Sequence, residues 1–224
     1  NKNINTLAPY KLVKTMRAGV LVLGSLLTKY SKAKVSLPGG CAIGSRPVNL
    51  HLFALKKLGA KIKIKDGYIL AEAKNGLKGA LIKFPSISVG ATENALLAAF
   101  KAKGKTILRN CAIEPEIKDL ISFLKKLGAD ISLKGRTIVI TESKIKSPKV
   151  THQIIFDRIE LGTYMIAGIL LANKDLIIDK IDPTVIKSEI AVLKKIGVQL
   201  IKKKNSVIIK KCKKLKKINI ITKP

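Results

Sequence analysis

The segment LKKLGAKI at residues 55–62 returns as LKKLGADI at 124–131 and as LKKIGVQL at 193–200, each time 69 residues further along the chain. Self-similarity at a fixed period indicates that a structural unit is repeated. The glycine in each copy follows the last turn of a helical pattern, where a left-handed C-terminal residue is needed. The segment therefore predicts the end of a helix in each of three similar units.

The flanking residues extend this repeat in both directions. Each copy is followed by a hairpin pattern, with turns at Asp66-Gly67, Lys134-Gly135 and Lys204-Asn205. Each copy is preceded by a proline that suits the first position of a helix. These prolines lie 68 residues apart, at Pro47, Pro115 and Pro183. A further helix and short strands lie upstream, so we predict an α/β fold built from three βαβαββ modules of about 70 residues.

The composition limits the classes of protein to consider. Hydrophobic residues make up 47% of the 224 residues, enough for a sizeable core, and no apolar run approaches the about 20 residues that cross a bilayer. The net charge of +30 comes mostly from scattered lysines, and aromatic residues are only 4%. We interpret the charge as a solvated surface, and a basic nucleic-acid-binding module is the less favoured alternative.

Three scattered cysteines form neither a disulfide framework nor a zinc-ligand pattern. We therefore expect a reduced, cytoplasmic protein without a metal site.

The loop LPGGCAIGSRPVNL at residues 37–50 sets the first unit apart. Ten residues separate its strand end from the proline, against seven and five in the other units. Arg46 precedes this proline, whereas Glu114 and Asp182 hold the matching positions. A cation beside the positive end of a helix favours a bound anion. The same surroundings favour the thiolate of Cys41, so we predict that this cysteine is chemically active.

The loop resembles the cysteine loop of the UDP-N-acetylglucosamine 1-carboxyvinyltransferase family. Four further segments resemble other segments of that family in the same order: TMRAGVLVLGSLL at 15–27, SISVGATENALLAA at 86–99, EPEIKDLISFLKKLGA at 114–129 and FDRIELGTYMIAG at 156–168. The resemblance implies a two-domain, inside-out α/β barrel with three βαβαββ units in each domain. Residues 1–155 would supply two units of the first domain, and 156–224 one unit of an incomplete second domain.

The resemblance also implies a reaction. The family transfers the enolpyruvyl group of phosphoenolpyruvate to the 3′-hydroxyl of UDP-N-acetylglucosamine and releases phosphate, as the first committed step of peptidoglycan synthesis. Both substrates are small molecules, no cofactor is implied, and neither nucleic acid nor membrane is an expected partner. A shikimate-pathway enolpyruvyl transferase on the same fold, without this cysteine loop, is an alternative.

Site residues follow from the same resemblance. Cys41 matches the family's catalytic cysteine, which assists proton delivery to phosphoenolpyruvate and is the residue alkylated by fosfomycin. Arg17 matches an arginine near the phosphoenolpyruvate site. The stretch that would hold the UDP-sugar comprises Arg46, Pro47, Val48, Asn49 and Leu50, and a second nucleotide-contacting stretch comprises Ser86, Ile87, Ser88 and Val89. Asn49 stands in place of the family's usual aspartate, and Ser86 in place of a lysine.

The ends of the chain raise a separate expectation. The chain opens on Asn1 and stops at Pro224 soon after a strand pattern, which leads us to expect an internal fragment. The family's N-terminal Lys-Asn pair and its catalytic aspartate would then lie outside these residues. We accordingly expect no turnover from the 224 residues alone.

Three other positions have structural and functional interpretations. Asp157 and Glu160 have the spacing of a capping box, which we favour over a pair of catalytic carboxylates. His51 lies close enough to the expected anion-binding helix to approach a ligand. Cys111 is expected to serve packing only.

Overall fold

The computed structural model describes residues 5–39, 47–143, 149–212 and 214–221. The chain forms two compact units, Asn1–Gln153 and Ile154–Pro224. Each unit has its own hydrophobic core.

Two βαβαββ repeats build the first unit. The elements of the first repeat are β1 (Leu7–Ala8), α1 (Tyr10–Val13), a 3-10 helix (Arg17–Leu21), α2 (Val22–Tyr30), β2 (Lys32–Ser36), α3 (Asn49–Lys57), β3 (Lys61–Lys65) and β4 (Tyr68–Glu72). Those of the second are β5 (Leu81–Lys83), α4 (Val89–Ala99), β6 (Lys105–Arg109), α5 (Pro115–Lys126), β7 (Ile131–Lys134) and β8 (Thr137–Thr141).

Both repeats have the same sheet topology. The strand orders are β1-β2-β4-β3 and β5-β6-β8-β7, and only the first pair of each sheet is parallel. Burial alternates along β8 and β4, so one face of each sheet packs on the core. Neither sheet closes into a barrel within the described residues.

The second unit contains the third repeat. Its elements are α6 (Arg158–Leu171), β9 (Leu176–Asp179), α7 (Lys187–Ile196), β10 (Leu200–Lys202) and β11 (Ser206–Ile209). The order β10-β11-β9 is that of β3-β4-β2 and β7-β8-β6, so the predicted threefold repeat is confirmed. The described part of this repeat contains no counterpart of the leading strands β1 and β5.

The three glycines of the repeat end their helices in the same way. Gly59, Gly128 and Gly197 have φ angles of 96°, 108° and 102°. After Gly59, the N–H of Ala60 donates to the carbonyl of Leu55 at 3.0 Å, and Gly59 itself donates to Lys56 at 2.9 Å. The same two hydrogen bonds recur at the other two glycines. This is the Schellman geometry, which satisfies the last helical carbonyls and which a Cβ would strain, so the predicted role of the glycines is confirmed.

Only one of the three repeated prolines lies at the predicted first position of a helix. Pro115 occupies the first turn of α5. Pro47 and Pro183 lie outside their helices, since α3 begins at Asn49 and α7 begins at Lys187. In the third repeat, the Asp182 carboxylate accepts a hydrogen bond from the N–H of Thr184 at 2.8 Å, so Pro183 lies in a turn.

Helices lie inside the first unit. Seven of the eleven residues of α4 are buried, and they lie all around the helix. A helix buried on every side is covered by other elements rather than by solvent. The alanines of α4 allow the neighbouring helices to approach it closely, and the candidate site lies at the N-terminal part of this helix.

Candidate functional site

The structure describes most of the site residues predicted from the sequence. Arg17 opens the 3-10 helix, the stretch from Pro47 to Leu50 enters α3, and the stretch from Ser86 to Val89 enters α4. Cys41 and Arg46 lie outside the described residues. The geometry of the site is therefore described from these three segments and from the hydrogen bonds that join them.

A buried asparagine of α4 joins the three segments. The Nδ2 of Asn94 donates to the carbonyl of Val20 in the 3-10 helix at 3.2 Å. Its Oδ1 accepts a hydrogen bond from the N–H of Gly24 in α2 at 2.7 Å. The Nδ2 also lies 3.2 Å from the Nδ1 of His51, in the first turn of α3. One fully buried amide thus holds the 3-10 helix and the N-terminal parts of α2 and α3 together.

Helices α2 and α4 run in the same direction through this junction. The hydroxyl oxygen of Thr28 lies 3.0 and 3.3 Å from the carbonyl oxygens of Leu97 and Ala98, and 2.7 Å from that of Gly24 in its own helix, so its one hydrogen is shared among these acceptors. The bonds from Gly24 to Asn94 and from Thr28 to Ala98 have the same offset of 70 residues, which parallel helices require. The N-terminal ends of both helices therefore point the same way, and so do the positive ends of their dipoles.

His51 is buried in this junction rather than exposed toward solvent. Only 5% of its surface is accessible, and its ring packs against Gly90. Burial, and to a smaller extent the charge of Arg17, lower the pKa of His51 to about 4. The expectation that His51 approaches a ligand remains a prediction, and the structure adds that its imidazole is neutral near pH 7.

The predicted UDP-sugar stretch leaves the start of α3 without a side-chain cap. Val48 precedes the helix and is buried, whereas Asn49 is exposed. No side chain in the described part of the chain caps the first N–H groups of α3. These N–H groups can only donate hydrogen bonds, so they need an acceptor, which an anionic ligand can supply.

The second predicted stretch is capped by its own serine. The Oγ of Ser88 accepts a hydrogen bond from the N–H of Ala91 at 3.3 Å, and the hydroxyl of Thr92 donates to the carbonyl of Ser88 at 2.8 Å. Ser88 is therefore engaged in starting α4. Ser86 and Ile87, just before it, are exposed.

Acidic side chains lie at and near the start of α5. The carboxylate of Glu114 accepts a hydrogen bond from the N–H of Ile113 at 2.7 Å, instead of capping the helix. Burial raises the pKa of Glu93 in α4, and the nearby charge of Glu116 raises it further. Glu114 thus stands in the second repeat at the position that matches Arg46 in the first.

Sequence reasoning did not identify Asn94, Glu93 or Glu116. The available signal for Glu93 and Asn94 was the composition of ATENALLAA at 91–99, where three polar residues interrupt an apolar helix. A buried polar side chain needs hydrogen-bond partners, so this position indicated a junction.

Other predicted positions have structural roles. The carboxylate of Asp157 caps α6 by accepting hydrogen bonds from the N–H groups of Ile159 and Glu160, at 2.8 and 3.1 Å, which supports the capping interpretation. Cys111 is fully buried, and burial raises the pKa of its thiol to about 11. Its packing role fits that environment.

The described residues contain neither a candidate metal cluster nor a candidate membrane-spanning helix. No group of three or more His, Cys, Asp or Glu residues there could hold a metal ion. No helix in that part of the chain has the length and apolar character to cross a bilayer.

Comparison with known proteins adds a family and a fold. A family model described as EPSP synthase (3-phosphoshikimate 1-carboxyvinyltransferase) matches residues 1–224. A UDP-N-acetylglucosamine 1-carboxyvinyltransferase of Pelagibacter ubique is 55% identical over 223 residues, which cover 100% of this chain and 53% of that protein. The protein of the same name from Endomicrobium trichonymphae is 49% identical over 216 residues, covering 96% of this chain and 51% of that protein. The chain spans about half the length of the curated relatives that it matches.

Solved structures resemble the chain at lower identity. The enolpyruvyl transferase NikO from Streptomyces tendae superposes with a TM-score of 0.77 at 24% identity, covering 94% of this chain and 51% of that one. An EPSP synthase from Acinetobacter baumannii gives a TM-score of 0.66 at 19% identity, covering 91% and 48%. These likenesses show the fold, which is that of the enolpyruvyl transferases.

Proposed function

The chain belongs to the EPSP synthase (3-phosphoshikimate 1-carboxyvinyltransferase) family, and from this premise we propose that the protein containing it makes enolpyruvyl-UDP-N-acetylglucosamine. The enolpyruvyl group comes from phosphoenolpyruvate and is transferred to the 3′-hydroxyl of UDP-N-acetylglucosamine, with release of phosphate. Relatives that are 46–55% identical along this chain carry the name of that activity. The loop GGCAIGS at residues 39–45 favours it over the shikimate-type reaction.

The proposed reaction balances as an addition followed by an elimination. The hydroxyl gives up its proton to a base and its oxygen bonds to the central carbon of phosphoenolpyruvate, while the methylene carbon takes up a proton from an acid. Loss of phosphate and of a proton from the resulting methyl group then restores the double bond. Cys41 is proposed to serve the methylene carbon as a proton donor, since a thiol with a pKa near neutrality can both give and take a proton.

The remaining residues are proposed to bind the two anionic substrates. Arg17 would contact phosphoenolpyruvate. The stretches Arg46–Leu50 and Ser86–Val89 would hold the UDP-sugar. The observation that carries this proposal is the junction at Asn94, because it unites the segment of Arg17 with the start of α3 and with α4. The start of α3 has no side-chain cap among the described residues, so its N–H groups are suited to binding a phosphate.

The proposal also covers the domain organisation of the protein and the cellular compartment in which it works. Residues 1–155 would form two of the three units of one domain, and residues 156–224 would begin the other. The product would enter peptidoglycan synthesis, and the enzyme would work in the cytoplasm. Two of the cysteines, Cys111 and Cys212, are free thiols, as a reducing compartment favours.

A substrate assay with the full-length protein tests the proposal. Phosphate release is measured with phosphoenolpyruvate and either UDP-N-acetylglucosamine or shikimate 3-phosphate. We expect release with the UDP-sugar only. Activity with shikimate 3-phosphate alone would establish the shikimate-type alternative instead.

A cysteine variant tests the role of the loop. Cys41→Ala should reduce turnover by about 100-fold or more, as expected for loss of a general acid. Cys212→Ala is the matched control, because Cys212 lies in the second unit and is not part of the proposed site. Mass spectrometry after treatment with fosfomycin should find the adduct on Cys41. Full activity of Cys41→Ala would contradict the assignment.

A further inference from the structure

Two backbone groups fix the orientation of the Asn94 side chain. The N–H of Gly24 can only donate, so the atom 2.7 Å away is the Oδ1 of Asn94. The carbonyl of Val20 can only accept, so the atom 3.2 Å away is the Nδ2. A flipped amide would place two donors together at Gly24 and two acceptors together at Val20. The side chain therefore has one satisfied orientation.

This orientation determines where His51 carries its proton. The Nδ2 of Asn94 lies 3.2 Å from the Nδ1 of His51, and an amide NH₂ group has only hydrogens to offer. The Nδ1 must accept, so it bears a lone pair and the proton of the neutral ring lies on Nε2. A second proton on Nδ1 would set two N–H groups against each other inside the core.

The other neighbours of the ring act in the same direction. Helix α4 presents Asn94 and Gly90 to His51, and neither carries a charge. A Cβ at Gly90 would lie 3.0 Å from the Cε1 and 3.4 Å from the Nε2 of His51, so the absent side chain leaves room for the ring. Burial is the main factor that disfavours the protonated ring of His51. The positive charge of Arg17 in the 3-10 helix is the second factor, and it acts in the same direction.

We propose that Asn94 is a positioning residue of the enolpyruvyl transfer site, which holds His51 as the neutral Nε2–H tautomer in every ligand state. This proposal rests on the proposed function. A bound phosphate near Arg17 and α3 would ordinarily draw a proton onto a neighbouring imidazole. The NH₂ group of Asn94 opposes that protonation. The first turn of α3 therefore keeps one uncharged donor while anionic substrates enter and leave.

Nitrogen NMR of the full-length protein, labelled in its histidine rings, tests the tautomer directly. The signals of His51 are identified by their loss in His51→Gln. We expect one protonated Nε2 and one unprotonated Nδ1, with no change between about pH 5.5 and 8.5 or on addition of phosphoenolpyruvate. A proton on Nδ1, or titration of the ring in that range, would overturn the proposal. This measurement does not depend on turnover, so it separates the proposal from the proposed function.

The variant Asn94→Asp tests the role of the amide in the reaction. It replaces the NH₂ group with an oxygen that accepts, so Nδ1 should become protonated and the pKa of His51 should rise into the range of about 6 to 8. The pH profile of kcat/KM should then gain an ionisation that the wild-type profile lacks.

Thr28→Val is the matched control for this variant. It removes the hydroxyl bonds between α2 and α4 without touching the imidazole. It should leave the pH profile unchanged. A folded Asn94→Asp protein with the wild-type pH profile would overturn the proposal. If that variant does not fold, the NMR measurement of the His51 tautomer in the wild-type protein decides.

Discussion

The backbone of Gly24 lies directly against the side chain of Asn94, and this contact sets the separation of α2 and α4. The N–H of Gly24 donates to the Oδ1 at 2.7 Å. A Cβ on Gly24 would clash with that oxygen, and it would lie 2.6 Å from the backbone carbonyl oxygen of Asn94. Only glycine fits the closest point of two parallel helices, because the opposing atoms belong partly to rigid backbone.

Replacement of this glycine should therefore destabilise the protein although alanine favours helices. We expect Gly24→Ala to lower the free energy of unfolding by about 2–3 kcal/mol, since the helices must move apart and the buried amide loses its geometry. Gly162→Ala in α6 is the matched control. No atom of the described chain lies within 4 Å of its Cβ, so stability should stay the same or rise by up to about 1 kcal/mol. Urea unfolding measures both, and equal effects would contradict the packing account.

The Glu93 carboxyl should make stability depend on pH. Burial and then the charge of Glu116 raise its pKa in the folded protein above the ordinary value of 4.5. Between those two pKa values the folded state binds more protons than the unfolded state, so stability is lost as the pH rises through the interval. Glu93→Gln should remove this loss, and the variant should gain stability relative to wild type in urea titrations as the pH rises above the ordinary value of 4.5.

Glu116→Gln separates the two causes of that pH dependence. It removes only the neighbouring charge, which is the smaller cause, and so should reduce the slope of stability against pH without abolishing it. Parallel stability curves for wild type and Glu93→Gln would show that the carboxyl is not perturbed by its surroundings.

A buried contact between α5 and the segment that follows β8 should contribute to the stability of the first unit. The Nε2 of His152 lies 3.0 Å from the Oδ1 of Asp119, and both side chains are largely buried, at 9% and 17% exposure. The His152 ring also meets the ring of Phe123 edge-on, at 5.4 Å between centroids. Asp119→Ala leaves the buried nitrogen without this partner and should cost about 1–3 kcal/mol in thermal or urea unfolding.

Glu72→Ala provides the comparison for an exposed ion pair. Glu72 lies 3.8 Å from Lys74, and the two side chains are 49% and 77% exposed. Its loss should change stability by at most about 1 kcal/mol. If Glu72→Ala lowered the free energy of unfolding as much as Asp119→Ala, burial would not explain the contribution of the His152–Asp119 contact.

Cys111 should resist thiol reagents while the protein is folded. It is fully buried, and burial raises the pKa of its thiol to about 11, so hardly any thiolate is present near pH 8. Mass spectrometry after brief exposure to iodoacetamide should find Cys111 unmodified in the native protein and modified in urea. Modification at similar rates in both conditions would show that the site opens readily.

The local features of the fold were predictable from short stretches of sequence. The glycine after each LKK segment, the Asp66-Gly67 turn and the Asp157 cap depend on residues within a few positions of one another. Asp66 and Gly67 both have positive φ, at 51° and 74°, as a tight two-residue hairpin requires. The resemblance of the cysteine loop likewise indicated the family from contiguous residues.

The proline positions and the histidine show where local rules were insufficient. Pro47 and Pro183 fit the first position of a helix, but helices α3 and α7 begin later. His51 follows a stretch predicted to bind substrate, yet its ring is buried against Gly90. For His51, packing against α4 decided the outcome.

The sequence by itself determined the threefold repeat, because helix ends and hairpin turns are set by backbone preferences that act over a few residues. Only the tertiary structure decided which polar groups meet in the interior. Asn94 joins partners that are 43 to 74 residues away, and no pattern within one helix specifies them. Buried polar groups must find partners wherever packing brings them. For that reason the junction of α2, α3 and α4 was visible only in the folded chain.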